Sequence, residues 1–194
     1  MTRARPERLV GMLLVLAIAA VVALGVAFAT RPPAADPSAS ASGDVEPGTG
    51  PSGATEMAEL VRVVDGDTIV VRIDEREERV RYIGIDAPEL TSPERGLAAA
   101  CVGEEAAAAN ARLLTDTTIV LERDVSDRDR FGRLLRHAWI EGDAWRLIGR
   151  ELVAAGLVEA RSYPPDTLRG DELDAAERAA RARGDGIWGA CAGR

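Results

Sequence analysis

The order of elements in this 194-residue chain predicts an α+β fold built on a small, mostly antiparallel sheet. Three observations carry that reading. Short strand-like runs bounded by Gly, Pro and Asp recur through the middle of the chain. One alanine-rich, helix-favouring segment interrupts them, and two further segments with helical spacing follow.

The elements are taken in order. Arg3, Arg5 and Arg8 precede an uncharged apolar run, residues 9–29, that engages the membrane during export. Its length suits a bilayer span better than a typical signal core, whereas Ala27-Phe28-Ala29 matches the small-x-small cleavage pattern. A signal peptide and an N-terminal membrane anchor over residues 1–29 therefore both stand. In either case the basic flank keeps that end cytoplasmic and everything after Thr30 outside. Residues 30–56, rich in Pro, Ala, Ser and Gly, lack the apolar period a core needs and read as a disordered linker. The folded domain is expected over residues 57–194.

Within it, residues 63–64 and 68–73 read as a hairpin joined at the Asp65-Gly66 corner, and residues 79–85 as a third strand closing on Asp86-Ala87-Pro88. Alternation in that strand puts Arg81 on the face of Ile83 and Ile85, pointing at or beside a core. A polar loop over residues 90–103 leads to a helix over 104–114, followed by a strand over 117–122, a charged turn over 123–132 and a strand over 133–140. Trp145, Ile148, Leu152 and Val153 have helical spacing within residues 144–155, with Gly156 as the stop. Residues 157–163 read as extended, 167–183 as the most helix-like segment of all, and Ile187-Trp188 as an apolar anchor. Five short strands with one helix interposed fit a closed barrel of the OB type better than an open sheet.

Net charge is −8, and all 24 basic side chains are arginine. Without Arg3, Arg5, Arg8 and Glu7 the remainder holds 21 Arg against 31 acids, the wrong sign for a sequence-blind polyanion binder. Any phosphate chemistry must then sit in a local basic pocket. His137, the only histidine, reads as a surface or sheet residue and excludes mechanisms that need two. There is no Gly-x-Ser-x-Gly, and zinc lacks ligands, so an oxygen-only set points to calcium or magnesium. Cys101 and Cys191, on the exported side, are expected to form a disulfide, with two free thiols as the alternative; a loop of that size stabilises by about 4–5 kcal/mol in the chain-entropy account. Asp67, Asp86 and Glu89 are available for hard-cation work and Arg81 for an oxyanion, although ordinary turns would use the same residues.

DGDT at 65–68, VRYIGIDAPE at 80–89, DRFGR at 129–133 and GIW at 186–188 resemble the staphylococcal nuclease (thermonuclease) family, in the family's order and spacing from residue 60 to 188. The resemblance implies a five-stranded OB-type barrel with three helices, and calcium-dependent cleavage of DNA and RNA to a 5′-hydroxyl and a 3′-phosphate. It implies that Asp67 and Asp86 bind Ca2+ with the Ala87 backbone carbonyl, that Asp65 stands behind them, that Glu89 activates or orients water, and that Arg81 and Arg133 hold the phosphate. Arg161 and Tyr163 fall near the family's two nucleotide-contacting tyrosines, and Arg130 falls where a lysine is common, so these three are expected to contact substrate. The expected protein is a monomeric, extracytoplasmic nuclease acting on nucleic acid, secreted or attached through residues 9–29. The competing expectation is a non-catalytic OB-type module that binds nucleic acid or protein at the cell surface; such a module would be expected to lose part of the acid and arginine set, which is complete here.

Overall fold

The computed structural model describes residues 50–90, 100–189 and 191. The expected signal or anchor and most of the expected linker lie outside these residues. The end of that linker does not behave as a tether: β1 (Thr55–Val63) starts before Met57, and the Ser52 and Gly53 amides donate to Glu122 Oε1 at 2.7 and 2.9 Å.

β1 is followed by β2 (Thr68–Ile73), β3 (Arg76–Tyr82), the two-residue β4 (Ile85–Asp86), helix α1 (Gly103–Leu114), β5 (Ile119–Glu122), β6 (Leu134–Ile140), β7 (Arg146–Leu147), α2 (Ile148–Ala154), β8 (Glu159–Ala160) and α3 (Gly170–Arg183), and by a 3-10 turn at Gly186–Trp188. β1 pairs antiparallel with β5 through its first half and with β2 through its second. The partner changes between Ala58 and Glu59, and the register with β2 shifts between Leu60 and Arg62. β2 pairs with β3 and β5 with β6, both antiparallel, while β3 and β6 run parallel, Val80 opposite Leu134. That last pairing closes β1–β2–β3–β6–β5 into a five-stranded barrel, which with the three helices is the OB-type α+β fold expected.

Alternation then explains the core. Ile69, Val71, Val80, Tyr82, Ile119, Leu121, Leu134 and Trp139 are buried in it, with Ala106 and Leu114 of α1, Leu152 of α2 and Leu173 of α3 packed around it. Helical spacing overstated α2, because Ala144 lies in a bend and Arg146 and Leu147 form a short strand before the helix begins at Ile148. α3 likewise starts at Gly170 rather than at Thr167.

His137 lies in a strand as expected but is buried, not on the surface, beside Asp124, Glu122 and Arg169. Its Nε2 has no hydrogen-bond partner, the Asp124 Oδ2 being 3.8 Å away. Around it sits a polar knot. Arg169 donates to both oxygens of the fully buried Glu122 carboxylate (2.7 and 2.9 Å), and Trp139 Nε1 donates to Glu122 Oε2 (2.9 Å). Asp166 accepts from the Val125 and Ser126 amides and Asp124 from the Leu168 amide, so two loops are clasped together. Arg136, also buried, pairs with Glu56 (2.7 Å) and Asp127 (2.9 Å).

Candidate active site

The four-residue loop between β1 and β2 carries Asp65 and Asp67, and it is held by the Val64 and Asp65 amides on the Thr68 carbonyl at 2.9 and 3.2 Å. It is wider than the Asp-Gly corner expected. The Asp67 amide donates to Asp65 Oδ1 (3.0 Å), so Asp65 shapes the loop that presents Asp67. Asn110 of α1 ties it down from below, donating to the Asp65 carbonyl (3.0 Å) and accepting from the Tyr82 hydroxyl (3.0 Å).

Arg81 shares a face with Ile83, which lines the same cleft, but not with Ile85. Alternation ends where Gly84 takes φ 82°, a conformation costly for any residue with a Cβ, and Ile85 turns into the core while Arg81 stays on the opposite face. Its guanidinium is mostly buried and bound through both Nη atoms. Nη1 lies 3.0 Å from Asp67 Oδ2, Nη2 lies 2.9 Å from Asp86 Oδ1, and Nη1 also donates to the Ile85 and Tyr82 carbonyls at 2.8 and 3.1 Å. The Ala87 amide donates to the same Asp67 Oδ2 (2.7 Å), and the Thr68 hydroxyl to Oδ1 (2.9 Å). Thus the two loops flanking β2 and following β3 converge, and Asp65, Asp67, Arg81, Asp86 and Ala87 form one cluster.

Burial pushes the Asp67 carboxyl up to about 6, with Arg81 only partly opposing it and Asp65 adding to it. Further positive charge is what such a carboxylate lacks. The donor set suits a hard cation: two carboxylates already bridged by a guanidinium, a neighbouring backbone corner, and no thiolate or imidazole. Among the described residues no group of three or more His, Cys, Asp or Glu side chains gathers in ligand arrangement, so a cation held by Asp67 and Asp86 would complete its shell with backbone and water oxygens.

Arg133 enters from the turn before β6. Asp129 organises that turn, accepting from the Phe131 and Arg133 amides (2.8 and 2.9 Å) through Oδ1 and from Arg133 Nε (2.6 Å) through Oδ2. Burial raises the Asp129 carboxyl, but these donors outweigh it and hold its pKa below the ordinary value. Glu89 and Arg133 line one cleft of about 670 Å³ with Phe131, and Arg81, Arg130, Arg133 and Tyr163 line a second of about 470 Å³, again with Phe131. Arg133 and Phe131 therefore stand on the ridge between the two. Arg161 reaches toward Asp86 Oδ2 (3.8 Å), and with Tyr163 it flanks the cluster, both exposed.

Residues 79–190 match the family described as Staphylococcal nuclease homologue. The chain is 31% identical to "Thermonuclease" of Staphylococcus hyicus over 90% of this chain and 95% of the relative. The chain belongs to the staphylococcal nuclease family. It is also 32% identical to "Thermonuclease" of Staphylococcus intermedius, over 66% of this chain and 73% of that protein. With "Endonuclease YncB" of Bacillus subtilis (strain 168) it shares 34% identity over 66% of this chain and 60% of the relative.

Within this family member, three residues at the site were not singled out from sequence. Asn110 lies 45 positions from the loop it holds, and a mid-helix Asn has no local signature. Asp129 had one, since an Asp opening a Gly-containing turn four residues before an arginine is both an Asx-turn and an ion-pair signal. Phe131 is 69% exposed, with Arg130 and Arg133 at 4.7 and 5.6 Å from its ring, and an aromatic flanked by two arginines is a stacking signal.

Proposed function

We propose that this protein is an exported, calcium-dependent nuclease that hydrolyses phosphodiester bonds of DNA and RNA. The observation that carries the reading is the meeting of Asp67, Asp86 and Arg81 beside a cleft lined by Glu89 and Arg133. Membership of a family whose relatives are named thermonuclease and endonuclease supports it. Calcium, held by Asp67, Asp86 and the Ala87 carbonyl, would supply electrostatic stabilisation of charge on phosphoryl oxygens. The chain's own residues do the rest. Arg81 and Arg133 present planar donors to the non-bridging oxygens as charge develops there. Glu89, exposed in the cleft and free to meet water, takes or aligns the proton of the attacking nucleophile. Asp65 keeps Asp67 in place. Arg130, Arg161, Tyr163 and Phe131 offer charge and ring faces to the flanking nucleotides, which suits a single-stranded segment on an otherwise acidic protein. Residues 1–29 would direct export or hold the membrane, residues 30–49 would space the domain from it, and the domain would act as a monomer.

The deciding assay uses the full chain purified in detergent. DNA and RNA are expected to be degraded on titration with calcium, with loss of activity on chelation and its return on calcium addition. Cleavage that is unaffected by chelation overturns the cation's role. No cleavage at any calcium concentration favours the binding module.

Asp129 gives a separate prediction. Asp129→Ala frees the Arg133 guanidinium and uncaps its turn, so kcat/KM is expected to fall by about 10–100-fold. Thermal unfolding of the same variant should show only the loss of about 1 kcal/mol typical of a local side-chain cap.

A further inference from the structure

We propose that the Cys101–Cys191 disulfide is a positioning device for Glu89, so that the nuclease works fully only when this bridge is closed. The inference rests on the catalytic reading of Glu89 given above.

The bridge is formed in the structure, with Cα atoms 5.9 Å apart and 90 positions of sequence between them. What matters is what Cys101 is attached to. Its neighbour Ala100 donates its amide to the Glu89 carbonyl (2.8 Å), and Gly103 donates to the Ala100 carbonyl (3.1 Å), making a tight turn on which the Glu89 backbone rests. Gly103 is pressed against that backbone so closely that a Cβ there would lie 2.7 Å from the Glu89 oxygen and 3.1 Å from that of Pro88. Only glycine permits the approach.

Locally the turn is poorly supported. Val102 adopts φ 60°, a left-handed conformation that a β-branched residue resists, and as the residue preceding α1 it makes no side-chain capping hydrogen bond. An unstrained alternative is open to residues 100–103 unless something fixes them. The other end of the bridge is well fixed. The Ile187 amide donates to the Gly156 carbonyl (2.8 Å), Trp188 to Asp185 (3.0 Å), and Arg181 stacks on the Trp188 ring at 3.6 Å, which seats the turn before Cys191 on α2 and α3. The bridge therefore transfers the rigidity of the two C-terminal helices to the turn under Glu89. Asp67, Asp86 and Arg81 are held by β-strand ends and by one another, and the tie from α1 to their loop, Asn110 on the Asp65 carbonyl, lies about two turns into that helix, away from residues 100–103. Opening the bridge should act chiefly on Glu89 among the site residues.

The test compares wild type, Cys101→Ser/Cys191→Ser, Glu89→Gln and the triple variant at saturating calcium. Removing the bridge is expected to lower kcat about tenfold with KM within about twofold, as loosening of one reacting group does. In the Glu89→Gln background the same removal should change the residual rate by less than about twofold. Equal losses in both backgrounds, or no loss in either, overturn the proposal. A second readout needs no activity: amide exchange at Ala100 and Gly103 should accelerate in the serine variant while β2 amides keep their protection. Unchanged exchange at Ala100 overturns the positioning role and leaves the nuclease reading intact, whereas inactive wild type or fully active Glu89→Gln overturns both. If the serine variant is not folded at 25 °C, trimethylamine N-oxide favours the compact state without restoring the bridge, and the same comparisons are read there.

Discussion

Glu89→Gln is expected to lower kcat by about three orders of magnitude while leaving KM within about threefold. The substitution keeps the size of the side chain and its place in the cleft shared with Arg133, but glutamine cannot accept a proton from water. Loss of a positioned general base costs about 10²–10⁴-fold, and a loss confined to kcat marks an interaction made in the transition state. Neither Asp67 nor Asp86 lines the cleft that Glu89 lines, so calcium affinity measured by calorimetry should be unchanged. A rise in KM with kcat preserved would instead make Glu89 a substrate-binding residue. Glu89→Asp is the intermediate case, because the carboxylate is retained and withdrawn by one methylene. It should cost about a hundredfold, as displacement by about 1 Å does.

What sequence reveals of this site and what it hides follow from locality. Asp65, Asp67, Asp86, Ala87 and Glu89 were legible because they occupy the corners between short strands, where turn chemistry marks them and a few positions separate them. Arg81 was legible as an oddity, a cation in an apolar alternation, and only its placing with Ile85 fails. The alternation runs only to Gly84, and a backbone break of that kind carries no periodic signal. Barrel closure depends on the parallel meeting of β3 and β6, whose residues Val80 and Leu134 lie 54 positions apart, and no strand pattern names its distant partner. The pairing of Cys101 with Cys191 was simple arithmetic once export was expected. That one of them lies beside the seat of Glu89 was not. The sheet position expected for His137 holds but its burial had no signal, since a strand buried on both faces leaves no amphipathic trace, and β6 is such a strand.

The neighbour of that strand, β5, carries the largest effect on stability. Glu122→Ala is expected to destabilise the domain by about 3–5 kcal/mol, because it strands Arg169 and leaves Trp139 Nε1 and the Ser52 and Gly53 amides without their acceptor. Truncating an exposed acid such as Glu104 should change stability by less than about 0.5 kcal/mol. The knot also dictates acid behaviour. Burial alone would raise the Glu122 carboxyl, but the donors from Arg169, Ser52, Gly53 and Trp139 reverse this and hold it at about 2, below its ordinary 4.5. Burial lowers His137 from 6.5 to about 4, with Glu122 and Asp124 opposing and Arg169 reinforcing. Both folded-state values lie below the unfolded ones, so in each case the unfolded chain binds the extra proton and acid favours unfolding. The His137 contribution is complete above pH 6.5 and lost as pH falls to 4; that of Glu122 is complete above 4.5 and lost as pH falls to 2. Each leg is worth about 3 kcal/mol at 1.36 kcal/mol per pKa unit, and mutual interaction makes their sum an upper figure. Asp67, raised by burial from 3.8 to about 6, works in the opposite sense over the same window, because there the folded chain binds the extra proton. The His137 leg is therefore read as the urea midpoint of wild type minus that of His137→Gln from pH 7 to pH 3, a difference that should begin to fall below pH 6.5. His137→Gln should abolish the first leg and keep the second. A difference that stays constant down to pH 4.5 would show that the histidine is not buried in its neutral form.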